Sequence, residues 1–75
     1  MRLPILKPRQ IINVLKKIGF KENRQTGSHL ILLNREKNKI IPIPIHNQDI
    51  KRDLLRRIIK QAELSRKEFL DLLNE

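Results

Sequence analysis

Gln25-Thr26-Gly27-Ser28-His29-Leu30-Ile31-Leu32-Leu33 is the stretch on which the fold turns. Glycine tolerates the positive φ that tight turns demand, so Gln25 to Ser28 reads as a turn with Gly27 as its pivot. The run His29 to Leu33 is too short for a helix and rich in branched side chains, so it is a strand. It is apolar at odd and even positions alike, which predicts a central place in a sheet. The turn therefore delivers His29 onto the first residue of that strand.

Working outward, Ile40 to Ile45 alternates isoleucine with Pro42 and Pro44. Proline lacks a backbone N–H, so this segment can pair along one side only and is expected to be an edge strand. The prolines also discourage edge-to-edge aggregation. Asn34 to Lys39 is a polar connecting loop, and Phe20 to Gln25 is a weaker strand with Phe20 turned inward. If the last two strands pair antiparallel, Ile40 lies near Leu33 and His46 lies toward the His29 end.

Helices flank the strands. From Pro8 to Ile18, Ile11, Ile12, Val14, Leu15 and Ile18 occupy one side of a 3.6-residue wheel, while Arg9, Asn13, Lys16 and Lys17 occupy the other. Pro8 suits a first helical turn and Gly19 a left-handed C-terminal cap. A second helix is expected over Asp49 to Ala62, with Ile50, Leu54, Leu55, Ile58, Ile59 and Ala62 inward and Arg52, Arg56 and Lys60 outward. Asp49 is expected at its start, where a negative charge favours the helix dipole. Ser65-Arg66-Lys67-Glu68 matches a capping box, so a short third helix should run from Arg66 to about Leu73. These readings predict an α+β domain spanning 1–75. A three-stranded antiparallel meander carries helices on one face, in the order α-β-β-β-α with a short C-terminal helix.

The 75 residues carry 17 Lys and Arg against 8 Asp and Glu, a formal charge of +9, so a polyanionic partner is expected, RNA or DNA first. The helix-face cations Lys16, Lys17, Arg52, Arg56 and Lys60 are candidates for RNA phosphates, although solvated charged faces are also ordinary. With Phe20 and Phe69 the only aromatics, base stacking is poorly served. There is no cysteine, and two histidines are too few for a metal site, so no metal or other cofactor is expected. No run reaches the roughly 18 apolar residues of a membrane span, and Met1 to Ile5 lacks a signal-peptide core, which places the expected location in the cytoplasm, away from any membrane.

His29 is the candidate for chemistry. Metal-free cleavage of RNA needs a group to take the 2′-hydroxyl proton and one to protonate the leaving oxygen, and histidine as a residue type titrates near neutral pH. The ordinary alternative is a half-exposed strand-end histidine bonded to its turn. His46 has the same two readings, a member of the site or a loop residue.

The run Gly27-Ser28-His29, the segment Ile43-Pro44-Ile45-His46, and Leu55-Arg56-Arg57-Ile58-Ile59-Lys60-Gln61-Ala62 followed by Leu64-Ser65 and Glu68-Phe69-Leu70 resemble HicA toxins, as does Leu15 to Phe20 ending in Gly-Phe. That resemblance implies a double-stranded-RNA-binding-like fold. It also implies the toxin half of a type II toxin–antitoxin pair that cleaves mRNA independently of the ribosome, as a metal-independent endoribonuclease. His29 would be its catalytic residue, with Gly27, Ser28 and His46 in support. A HicB antitoxin would mask the site, and DNA would be met only through that antitoxin. A non-catalytic double-stranded-RNA-binding module is the alternative. Two positions depart from the family pattern. Asp53-Leu54 stands where a Gly-Thr pair is common, which predicts a helix starting near Asp49 or Ile50. Glu63 replaces a usual glycine, which predicts a different turn into the last helix.

Overall fold

The computed structural model describes residues 2–45 and 49–75. Its elements in chain order are α1 (Pro8–Lys17), β1 (Lys21–Thr26), β2 (His29–Asn34), β3 (Lys39–Pro44), α2 (Arg52–Gln61) and α3 (Arg66–Leu73). The three strands form one antiparallel sheet in the order β1-β2-β3, so the apolar strand is central as expected.

The edge position of β3 follows from its prolines. The Ile45 N–H donates to the Ser28 carbonyl at 2.8 Å. Antiparallel ladders alternate, so the N–H groups of Ile43 and Ile41 also turn toward β2, and Pro42 and Pro44 fall where the backbone faces outward and no donor is needed. Leu33 pairs with Ile40 and His29 with Pro44, the expected register.

One face of the sheet is covered. Leu32, Ile41 and Ile43 are fully buried with Ile11, Leu15, Phe20, Leu55, Ile58 and Phe69, and Leu30 packs against this core. α1 and α2 contact β3 from that side, and α3 packs on α1. This arrangement is the α+β fold of double-stranded-RNA-binding type, with a third helix added.

α1 ends in a double hydrogen bond. Gly19 takes φ 101°, its N–H donates to the Lys16 carbonyl at 3.2 Å, and the Phe20 N–H donates to the Leu15 carbonyl at 3.1 Å. This Schellman pair seats Phe20 in the core. A side chain at position 19 would meet the Asn34 amide nitrogen at 3.2 Å. Asn34, expected in a polar loop, is instead the buried end of β2 at 3% exposure. Its amide donates to the Ile18 carbonyl at 3.2 Å, and its oxygen accepts from the Lys37 N–H at 3.1 Å. One side chain thus ties the end of α1 to the β2–β3 loop, satisfying polar groups that would otherwise be costly to bury.

The start of α2 corrects the sequence reading. Ile50 is buried, but it is extended rather than helical: it forms a bridge with Leu6 and donates its N–H to the Leu6 carbonyl at 2.7 Å. Lys51 is the N-cap, with φ −68° and ψ 151°, and the helix begins at Arg52. Asp49 therefore lies outside the helix and pairs with Lys7 at 2.8 Å, leaving Asp53 as the acidic group of the first turn. A tertiary backbone contact displaces the helix start by two to three residues, from Asp49 or Ile50 to Arg52.

The turn after α2 keeps the Schellman geometry despite its residue. The Glu63 N–H donates to the Lys60 carbonyl at 3.0 Å and the Leu64 N–H to the Ile59 carbonyl at 3.1 Å, with Glu63 at φ 61°. A left-handed conformation costs a non-glycine residue roughly 1–2 kcal/mol, part of which glycine returns as greater freedom in the unfolded chain. Glu63→Gly is therefore expected to stabilise the domain by about 0.5–1 kcal/mol and raise Tm by roughly 2–8 °C. The exposed Lys39–Glu63 pair at 3.5 Å offsets little of this when lost. A thermal melt with an unchanged or lower Tm would show that the position carries no strain.

α3 opens on the expected capping box. The Glu68 N–H donates to Ser65 Oγ at 3.0 Å, and the Ser65 N–H donates to Glu68 Oε1 at 2.8 Å. The bond from the Ser65 backbone, then that from its hydroxyl, hold the Glu68 carboxyl below its ordinary value of 4.5. A depressed folded value means the stabilisation is complete above about pH 4.5 and is lost as pH falls through the lower, folded value. Glu68→Gln is expected to make the acid-induced loss of helical circular dichroism shallower in that range. Equal acid profiles for the two proteins would remove the capping carboxylate as a source of acid lability.

Candidate functional site

His29 sits directly after a two-residue turn. Thr26 and His29 are paired across Gly27 and Ser28, so Thr26, expected in the turn, belongs to β1. Gly27 takes φ 57°, whereas Ser28 has no positive φ. Glycine first and an ordinary residue second is the type II′ pattern, whose twist suits a hairpin. A side chain added at Gly27 would meet nothing within 4 Å, so the tip of the turn is itself uncovered.

The face on which His29 stands follows from alternation. Leu30, Leu32 and Asn34 point toward the helices, so His29, Ile31 and Leu33 point to the opposite, uncovered face. His29 is exposed there, between Thr26 on one side and Pro44 on the other. Ile40 shares this face at 63% exposure, with Pro42 beside Ile31. Histidine is thus presented at one end of an apolar strip. His46 lies outside the described residues. Among the described residues no three His, Cys, Asp or Glu side chains gather as a metal site.

The five helix-face cations occupy the other layer, and four of them already have partners. Lys16 pairs with Glu22, Lys17 Nζ donates to the Leu72 carbonyl at 2.7 Å at the end of α3, and Arg56 meets Asp53 at 3.2 Å. Arg52 is half-buried and its Nε donates to the Leu3 carbonyl at 2.7 Å, tying the N-terminal segment to α2. Exposed pairs of this kind are worth little and can exchange for phosphate, but the Arg52 bond closes a chain segment against the fold. Lys60 is exposed and makes no side-chain bond among the described residues.

Two cations of β1, neither on a helix face, share the His29 face. Arg24 pairs with Ile31 and Lys21 with Leu33, and the register shifts between Glu22 and Arg24 so that Asn23 is an extra residue. Directly paired residues project to the same side, which places Arg24 and Lys21 in one row leading to His29. Arg24 could have been found by counting back across the turn from His29. Lys21 could not, because strict alternation puts it on the opposite side.

The outcome is a small basic α+β domain of double-stranded-RNA-binding type, with a turn-presented histidine at the end of an uncovered sheet face. This chain belongs to the HicA toxin family: the family model described as the HicA toxin of bacterial toxin–antitoxin matches residues 8–64, from the start of α1 to the turn after α2. It is accordingly a toxin of a toxin–antitoxin system. No curated protein matches the chain significantly. Among the described residues no helix is long and apolar enough to cross a membrane.

Proposed function

We propose that the protein is a metal-independent endoribonuclease that cleaves mRNA in the cytoplasm, using His29 for proton transfer, and that a HicB-type antitoxin holds it inactive. The observation that carries this reading is His29 itself, exposed on the first residue of the central strand directly after an uncovered turn. In the reaction the 2′-hydroxyl loses its proton, its oxygen bonds to the adjacent phosphorus, the bond from phosphorus to the 5′-oxygen breaks, and that oxygen takes up a proton. His29 supplies one of the two proton transfers. The apolar strip of Ile31, Leu33, Ile40 and Pro42 around it supports a protein partner on this face, since exposed contiguous apolar surface marks interaction sites.

Incubating the purified protein with RNA in excess chelator tests the reading. Products ending in a 2′,3′-cyclic phosphate and a free 5′-hydroxyl are expected; products with 5′-phosphates, or cleavage only after metal is added, would exclude it. The fold and the charge of +9 also suit a non-catalytic double-stranded-RNA-binding module. That reading predicts salt-sensitive binding to duplex RNA, no products, and indifference to position 29.

A further inference from the structure

The bulge in β1 sorts charge between the two faces of the sheet. Counting back from Thr26, which opposes His29, strict alternation would bring Arg24 and then Glu22 onto the open face and send Lys21 toward the helices. The extra residue, Asn23, reverses this beyond Arg24: Lys21 stands opposite Leu33 on the open face, and Glu22 stands opposite Leu32 on the covered one, where Lys16 of α1 holds it. The Lys16 hydrogen bond and charge keep the Glu22 carboxyl below its ordinary range. Bulges recur beside functional sites, where they re-aim side chains. Here the bulge exchanges a carboxylate for an ammonium group on the face that presents His29.

We propose that Arg24 and Lys21 form a phosphate-binding row on the open sheet face, which holds the RNA backbone along the stretch leading up to the bond that His29 acts on. The proposal rests on the ribonuclease reading above. Arg24 lies diagonally across from His29, a relation that places Cα atoms about 7–8 Å apart, and Lys21 lies one further step of the sheet along. Both side chains are exposed and neither bonds to a described residue. An unengaged cation can meet phosphate without first breaking a contact, whereas Lys16, Lys17, Arg52 and Arg56 are engaged on the other layer. The planar fork of Arg24 also suits two oxygens of one phosphate, a geometry lysine cannot reproduce.

The test uses the wild-type chain and a 2′-O-methyl RNA oligonucleotide, which lacks the attacking hydroxyl, so binding is read apart from cleavage. Arg24→Ala is expected to weaken binding roughly ten- to hundredfold. Each of Arg24→Ala and Lys21→Ala should reduce the slope of log affinity against log salt by about 0.7. Arg24→Lys should restore the slope but not the full affinity, a split that a merely structural role would not produce. Lys67→Ala, on α3 where Lys67 pairs with Asp71 at 3.0 Å, should change neither. Unaltered affinity and slope in Arg24→Ala and Lys21→Ala, alongside wild-type binding and cleavage, would overturn the row and leave the ribonuclease reading standing. A wild-type protein that neither binds nor cleaves RNA would overturn both.

Discussion

His29→Ala is expected to lower the rate of RNA cleavage by at least about 10²–10⁴-fold, the usual contribution of a positioned proton-transfer group, and to abolish growth arrest on expression. The fold should be unaffected. His29 is exposed, follows a turn set by Gly27, and lies outside the buried core, so its removal creates no cavity. Substitutions of that kind usually stay within about 0.5 kcal/mol of the parent stability. Matched melting curves combined with lost cleavage are therefore the expected pair of measurements. Wild-type cleavage by the alanine protein would mean that another group does the chemistry and that His29 is an ordinary strand-end residue.

Phe69→Ala is expected to have the largest effect on stability, about 3–5 kcal/mol. Phe69 is wholly buried, and α3, which carries it, packs on α1 and has its Leu72 carbonyl met by Lys17. A domain of 75 residues has a total stability of only about 4–11 kcal/mol. The substitution therefore removes a large part of what holds the chain folded. α3 lies beyond the segment that matches the family, residues 8–64, yet its phenylalanine is among the largest fully buried side chains of the core. Urea denaturation of Phe69→Ala should show a sharply lowered midpoint, with a smaller shift for half-buried Leu70→Ala. A loss below about 1 kcal/mol for Phe69→Ala would mean that α3 is an appendage rather than part of the core.

Several features of the fold are readable in the chain because their causes are local. The stripe from Ile11 to Ile18 makes a helix whichever partner it meets, Gly19 ends it because only a left-handed residue closes the last carbonyls, and Pro42 with Pro44 forces an edge strand. The start of α2 was not readable, because Ile50 fits the helical stripe equally well in either conformation. Its extended state comes from a hydrogen bond to Leu6, 44 positions away in sequence. Asn34 reads as loop for a similar reason: a polar residue signals solvent unless its partners, the Ile18 carbonyl and the Lys37 N–H, can be seen.

For the site, the amino-acid sequence by itself determined that a turn presents His29 at the first residue of a central strand, since Gly27 and the apolar run after it act over a few bonds. Tertiary structure decided which cations keep it company. Arg52 is spent on the Leu3 carbonyl and Lys17 on the Leu72 carbonyl, contacts across 49 and 55 positions. Lys21 reaches the His29 face through one extra residue in β1. A strand's side-chain parity is exact until a bulge resets it, and a bulge exists only as a mismatch between two paired strands.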